Sequence, residues 1–185
     1  MELTLTLISA VANLTLGALV IYKKNRSWTN KLFFILSIAS SSWLIVNFFS
    51  VQQTDVDSFL IWVRIVMVFA VFQAVTFLLF VAVFPRSSFP FSKIKTTIIS
   101  VLSVATIIVA FSPYLFSGVE ETSDGLTPVA APGILLFVIV AVGSVVSGII
   151  ILIRKFRRAT GIERVQLGYL LAGVSLMFFL ILLFN

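Results

Sequence analysis

Apolar residues run along this chain in long, nearly unbroken blocks, with no sign of the alternation that marks half-buried strands. Six blocks stand out: Leu3–Tyr22, Leu32–Ser50, Phe59–Phe84, Ile94–Phe111, Ile134–Ile153 and Leu167–Phe184. Each approaches or exceeds the roughly 20 apolar residues that a helix needs to cross the hydrocarbon core. The third is the longest and is expected to tilt. Polar breaks separate them at 23–31, 51–58, 85–93, 112–133 and 154–166. Only the fourth break is long, and it holds Pro113, Pro128 and Pro132. It reads as an ordered loop or lid, too small for a domain. The pattern predicts an all-α polytopic transmembrane bundle of six spans, forming one domain over residues 1–185, with no internal repeat.

Composition agrees with a lipid solvent. Sixty per cent of the 185 residues are hydrophobic and 11% are charged, against about a quarter charged in soluble domains. Cysteine and histidine are absent, which excludes disulfides, thiolate metal sites and the commonest general base. No metal or cofactor is expected, and acid–base or thiol chemistry lacks players. A membrane enzyme is therefore the weakest reading.

The net charge of +6 points to nucleic acid only until the charges are placed. Twelve of the 13 basic residues occupy the first, third and fifth breaks or their edges: Lys23, Lys24, Arg26, Lys31, Arg86, Lys93, Lys95, Arg154, Lys155, Arg157, Arg158 and Arg164. The acids Glu2, Asp55, Asp57, Glu120, Glu121 and Asp124 fall on the opposite side, and Glu163 is the exception. Basic loops stay in the cytoplasm. The expected topology places the N-terminus outside a prokaryotic cell membrane, the basic loops inside and Asn185 outside. The basic loops are expected to contact anionic lipids, and no nucleic-acid partner is implied. Glu2 and the lack of a leading basic residue argue against a cleaved signal peptide.

Several side chains carry candidate chemistry. Arg64 is the basic residue inside a span, five residues from its outer end. It either snorkels to the interface with Asp55 or Asp57 as partner, or lines an outward-facing pocket for an anionic ligand. Ser40, Trp43 and Asn47 share a face of the second span, and Trp62 shares a face with Gln73 in the third, whereas Arg64 and Gln73 point oppositely. Trp43, Asn47, Trp62 and Arg64 form the candidate ligand set, for an unknown small molecule or lipid. The plainer account gives Asn13, Asn47 and Gln73 interhelical hydrogen bonds and leaves the tryptophans in the packing. Small residues at Gly143, Ser144, Ser147 and Gly148, and at Gly168, Ala172 and Gly173, permit close helix approach, either within the bundle or in a homodimer. At the last basic loop, Arg157, Arg158, Glu163, Arg164 and Gln166 form a candidate signal-coupling loop, with Arg157 or Arg158 pairing Glu163 at a helix N-terminus.

The order of motifs resembles a known family. Lys23-Lys24-Asn25-Arg26 leads into Asn30-Lys31-Leu32-Phe33, an N-x-x-F-like helix start, with Trp43 in the span that follows. Trp62-Val63-Arg64 and Phe84-Pro85 match a W-x-R and an F-P at the two ends of the third span. Pro113-Tyr114-Leu115-Phe116 matches a P-x-L-F loop opening. The run from Gly161 to Gly173 reads G-x-E-R-x-Q-x-x-Y-L-L-x-G. This series is similar to the seven-transmembrane sensor region at the N-terminus of bacterial histidine kinases. The resemblance implies a sensory input module of a two-component system, whose kinase activity lies in a C-terminal part beyond this chain. The family has seven spans where six are read here, so a seventh is expected downstream. The same module on another output, such as a diguanylate cyclase, remains open. So does a small transporter, channel or accessory membrane subunit, although no span carries a central acid or matched broken helices.

Overall fold

A computed structural model describes residues 3–23, 27–88, 91–122 and 125–184, with side chains described through residue 177. Glu2, Lys24, Asn25, Arg26, Asp124 and Asn185, which carry part of the charge pattern and motifs, lie outside the described residues.

The apolar blocks form helices α1 (Leu3–Lys23), α2 (Trp28–Val51), α3 (Val56–Val83) and α4 (Lys93–Ala110). A fifth rod follows as α5 (Ile134–Phe137), a π-helical segment (Val138–Val142) and α6 (Gly143–Arg158), and α7 spans Gly161–Phe184. Among the described residues, α1 to α4 and the Ile134–Arg158 rod are the five helices long and apolar enough to cross a membrane. The sixth apolar run folds as the 24-residue α7. Most of the observed helices run past the predicted blocks at one end or both, because helices continue into the interface until a cap stops them, whereas α3 and α4 end one residue short at Val83 and Ala110. Asp55 caps α3, its carboxylate accepting from the Ser58 N–H at 2.9 Å. Ser92 caps α4 through the Lys95 N–H.

Helix α3 is the axis of the bundle, with 11 buried residues along its length. It packs against α2, α4, the π segment and α6, while α1 packs on α2. Three apolar clusters stack along it. Phe59 and Val63 meet Ala110, Leu115 and Phe116 at one end. Val71 and Ala74 meet Val140 and Ala141 of the π segment in the middle. Phe80, Val81 and Val83 meet Leu32, Leu152, Ala159 and Leu167 at the other end. Gly148 permits a close α3–α6 approach: a Cβ there would fall 2.7 Å from the Phe77 ring. In this stripe of small residues, Ser144 and Gly148 are therefore used inside the bundle.

The long loop differs from the all-helical expectation. Strands β1 (Phe116–Thr122) and β2 (Gly125–Ala130) form an antiparallel hairpin, with a register irregularity between Phe116 and Gly118. A lone two-stranded hairpin is marginal in water. This one rests on the end of α3, with Leu115 and Phe116 buried and Val119 and Leu126 packed on the same cluster. Its base is tied by Ala131 N–H to Leu115 O (2.9 Å) and Gly133 N–H to Tyr114 O (2.7 Å).

Candidate functional site

The breaks rich in lysine and arginine meet at one end of the bundle, as alternate loops of a polytopic chain must. There the chain leaves α3 through a turn at 84–87 that contains a cis Phe84–Pro85 bond. Ser87 takes a left-handed φ of 56°, costly for a residue with a Cβ. Its hydroxyl is held from the first basic loop, sharing hydrogen bonds with Ser27 Oγ (2.5 Å) and Thr29 Oγ1 (2.9 Å) and accepting from the Thr29 N–H (3.3 Å).

A helix ends with carbonyls that have no partner in the helix. At the end of α3, Lys155 reaches across from α6 and donates from Nζ to Val81 O (2.9 Å), Ala82 O (2.5 Å) and Phe84 O (2.6 Å). All three ammonium protons are thereby used, and a fixed positive charge sits against the negative end of the α3 dipole.

The last basic loop is anchored to the same turn. Arg86 grips Glu163 side-on, Nε to Oε1 at 3.0 Å and Nη2 to Oε2 at 2.9 Å. These bonds hold the Glu163 carboxyl below its ordinary value and Arg86 above its own. The expected partners, Arg157 and Arg158, do not take this role. Both are exposed on the last turn of α6. The chain reverses between Arg158 and Gly161, where Gly161 has φ +57°, and the first turn of α7 faces the α3–α4 turn. Arg164 lies over the Phe156 ring at 5.4 Å, and Gln166 is exposed. Of the candidate coupling residues, Glu163 alone joins two loops. Arg86 and Lys155 complete the junction and were missed. The available signals were the Phe84-Pro85 stop, which leaves carbonyls open, and the single lysine among the arginines of the 154–158 run.

These groups border a recess of about 380 Å³ whose lining includes Arg86, Ser88, Arg154, Lys155, Arg158 and Glu163. A second groove of about 310 Å³ lies between α3, α4 and α6, alongside Gly143, Ser144 and Ser147.

At the opposite, acidic end, Arg64 donates from Nη2 to the Phe116 carbonyl at 3.2 Å, and its buried Nε has no partner among the described residues. The expected ion pair with Asp55 or Asp57 is not formed: Asp55 is engaged as the α3 cap, and Arg64 turns toward the hairpin instead. Trp62 packs its ring on Phe49 of α2, 5.6 Å between centroids. Trp43 and Asn47 are half-buried on α2. No hydrogen bond or ring contact among the described residues joins either of them to Trp62 or Arg64, and neither recess above is lined by any of the four.

A sequence model of the family described as the N-terminal 7TM region of histidine kinase matches residues 5–185. No curated protein and no solved structure gave a match. The chain belongs to this histidine-kinase membrane-region family, in agreement with the resemblance carried by its motifs.

Proposed function

We propose that the chain is the membrane-embedded sensory input module of a signal-transduction histidine kinase, passing an external or bilayer signal to a cytoplasmic output. The observation that carries this reading is the family match over residues 5–185. In it the bundle crosses the membrane six times, α7 being the sixth span. At ~1.5 Å per residue its 24 residues reach about 36 Å, enough for the hydrocarbon core. The N-terminus is outside, the hairpin end is extracellular, and the basic end is cytoplasmic.

Helix α3 suits transmission. It runs unbroken from the Asp55 cap to the Lys155-bound carbonyls, touching the hairpin at one end and the Arg86–Glu163 junction at the other. A ligand at the outer end, a small molecule or lipid held by Trp62 and Arg64 of α3 with Trp43 and Asn47 of α2, acts by binding two arrangements of α3 with different affinity. The junction of Arg86, Lys155 and Glu163 reads the displacement, with Arg157, Arg158, Arg164 and Gln166 around it. The output acts as a homodimer.

Sequencing the coding region beyond Asn185 tests the reading. A seventh apolar span, a helical linker with a phospho-acceptor histidine and an ATP-binding domain support it. With that protein in proteoliposomes, Glu163→Gln then alters autophosphorylation. A diguanylate cyclase domain keeps the module and changes the output. A stop codon overturns the sensory reading in favour of a transporter or accessory subunit.

A further inference from the structure

The recess at the basic end has the chemistry of an anion site. Four cationic side chains, Arg86, Arg154, Lys155 and Arg158, face one carboxylate, and that carboxylate is already engaged by Arg86. Arg154 and Arg158 stand four residues apart on α6, so they share a face. Neither has a hydrogen-bonding or ionic partner among the described residues. Ser88 adds a hydroxyl from the α3–α4 turn. The floor is prepared as well. The carbonyl-rich end of α3, which would repel an anion, is covered by the Lys155 ammonium. The first turn of α7, which carries Glu163, borders the same recess and presents the positive end of a helix dipole.

We infer that this recess binds a phosphate group, Arg154 and Arg158 gripping its oxygens, Ser88 donating a further bond and Lys155 supplying fixed charge from beneath. Guanidinium suits this role because its planar fork makes paired, charge-assisted bonds to phosphate oxygens. The phosphate is either that of an anionic lipid headgroup or a free phosphate anion. Both present the same group to the same side chains. The inference stands apart from the sensory reading, since binding is measured without any output domain.

The experiment uses the purified chain in zwitterionic detergent. Native mass spectrometry follows retention of dioleoylphosphatidylglycerol against dioleoylphosphatidylcholine, and calorimetry follows pyrophosphate. The chain is compared with Arg154→Gln/Arg158→Gln and with Lys93→Gln/Lys95→Gln, which removes equal charge from the start of α4, outside the recess. Saturable uptake of one phosphatidylglycerol, weakened about tenfold or more by the arginine pair and less than about twofold by the lysine pair, supports a headgroup site. The same dependence for pyrophosphate supports a free-anion site. Equal loss with both pairs, or no saturable binding of either probe, overturns the inference. Should the double variant fail to fold, Arg158→Gln alone, at the exposed end of α6, carries the same comparison.

Discussion

At the basic end, residues far apart in sequence meet through directional bonds. Arg86 grips Glu163 77 positions away, Lys155 reaches three carbonyls 71 to 74 positions back, and Ser87 is held by the hydroxyls of Ser27 and Thr29. At the acidic end, the hairpin lies on α3 through the apolar contacts of Leu115, Phe116, Val119 and Leu126. One guanidinium–carbonyl bond from Arg64 joins it to the helix. Apolar contact is non-directional and tolerates sliding, whereas a hydrogen bond is lost within a fraction of an ångström. The two ends therefore respond differently to the same displacement of α3. The hairpin cover at the acidic end gives gradually, and the junction at the basic end holds or breaks.

Four measurements sharpen or break this contrast. The largest effect is expected for Lys155→Met, which leaves three carbonyls of the α3 end without their donor. Unfolding in detergent should show a loss of about 2–4 kcal/mol. A loss below about 1 kcal/mol would mean that the basic end is not held as described. Next is Gly133→Ala at the base of the hairpin. The new Cβ would sit 2.5 Å from the Tyr114 carbonyl oxygen, and backbone cannot rotate away as a side chain can. A cost of about 1–3 kcal/mol is expected. Faster amide exchange should be confined to 116–133, with amides of the 84–88 turn unchanged.

Arg64→Met should matter less, about 1 kcal/mol. It removes a bond to Phe116 O and also the buried Nε that lacks a partner, and the two effects oppose. Limited proteolysis of the hairpin reads it out. The smallest effect on stability is expected at the exposed Arg86–Glu163 pair. Because Glu163 is held below the ordinary glutamate value, its contribution is complete above that value. It fades as the pH falls through the lowered one. Distance measurements between spin labels on the third and fifth breaks should show this acid-dependent loosening. Glu163→Gln should abolish the pH response, and the exchange Arg86→Glu with Glu163→Arg should restore the closed distance at neutral pH.

The helices were legible because lipid-facing and lipid-buried segments are apolar on all sides, so block length alone reports them. The shared side of the basic loops followed from the same blocks, since alternate loops have no other arrangement. The hairpin was not legible. Three prolines and a run of six or seven residues per strand give no clear alternation, and the strands exist because α3 supplies the surface beneath them. Arg86–Glu163 was hidden by abundance. Five basic residues lie within ten positions of Glu163, and only packing of α3 on α6 decides that a more distant arginine reaches it. Lys155 was hidden differently: its role is to satisfy backbone, and that demand is marked in the sequence by nothing stronger than the Phe84-Pro85 stop and a lysine standing among arginines. Trp43 and Asn47 were singled out by spacing on one helix. Spacing says which residues share a face, but the partner helix decides what that face meets.

The wide turn at Val138–Val142 sets the fifth rod apart from the other described helices. A π turn carries one surplus residue within an otherwise ordinary helix. Were that surplus to migrate by a few positions, every residue it passed would rotate by about 100° while the backbone stayed bonded. Val140 and Ala141 now face α3, and Gly143 and Ser147 border the neighbouring groove. The fifth rod thus resembles a keyed shaft whose surplus residue, lying in its first third, sets which side chains it shows to α3.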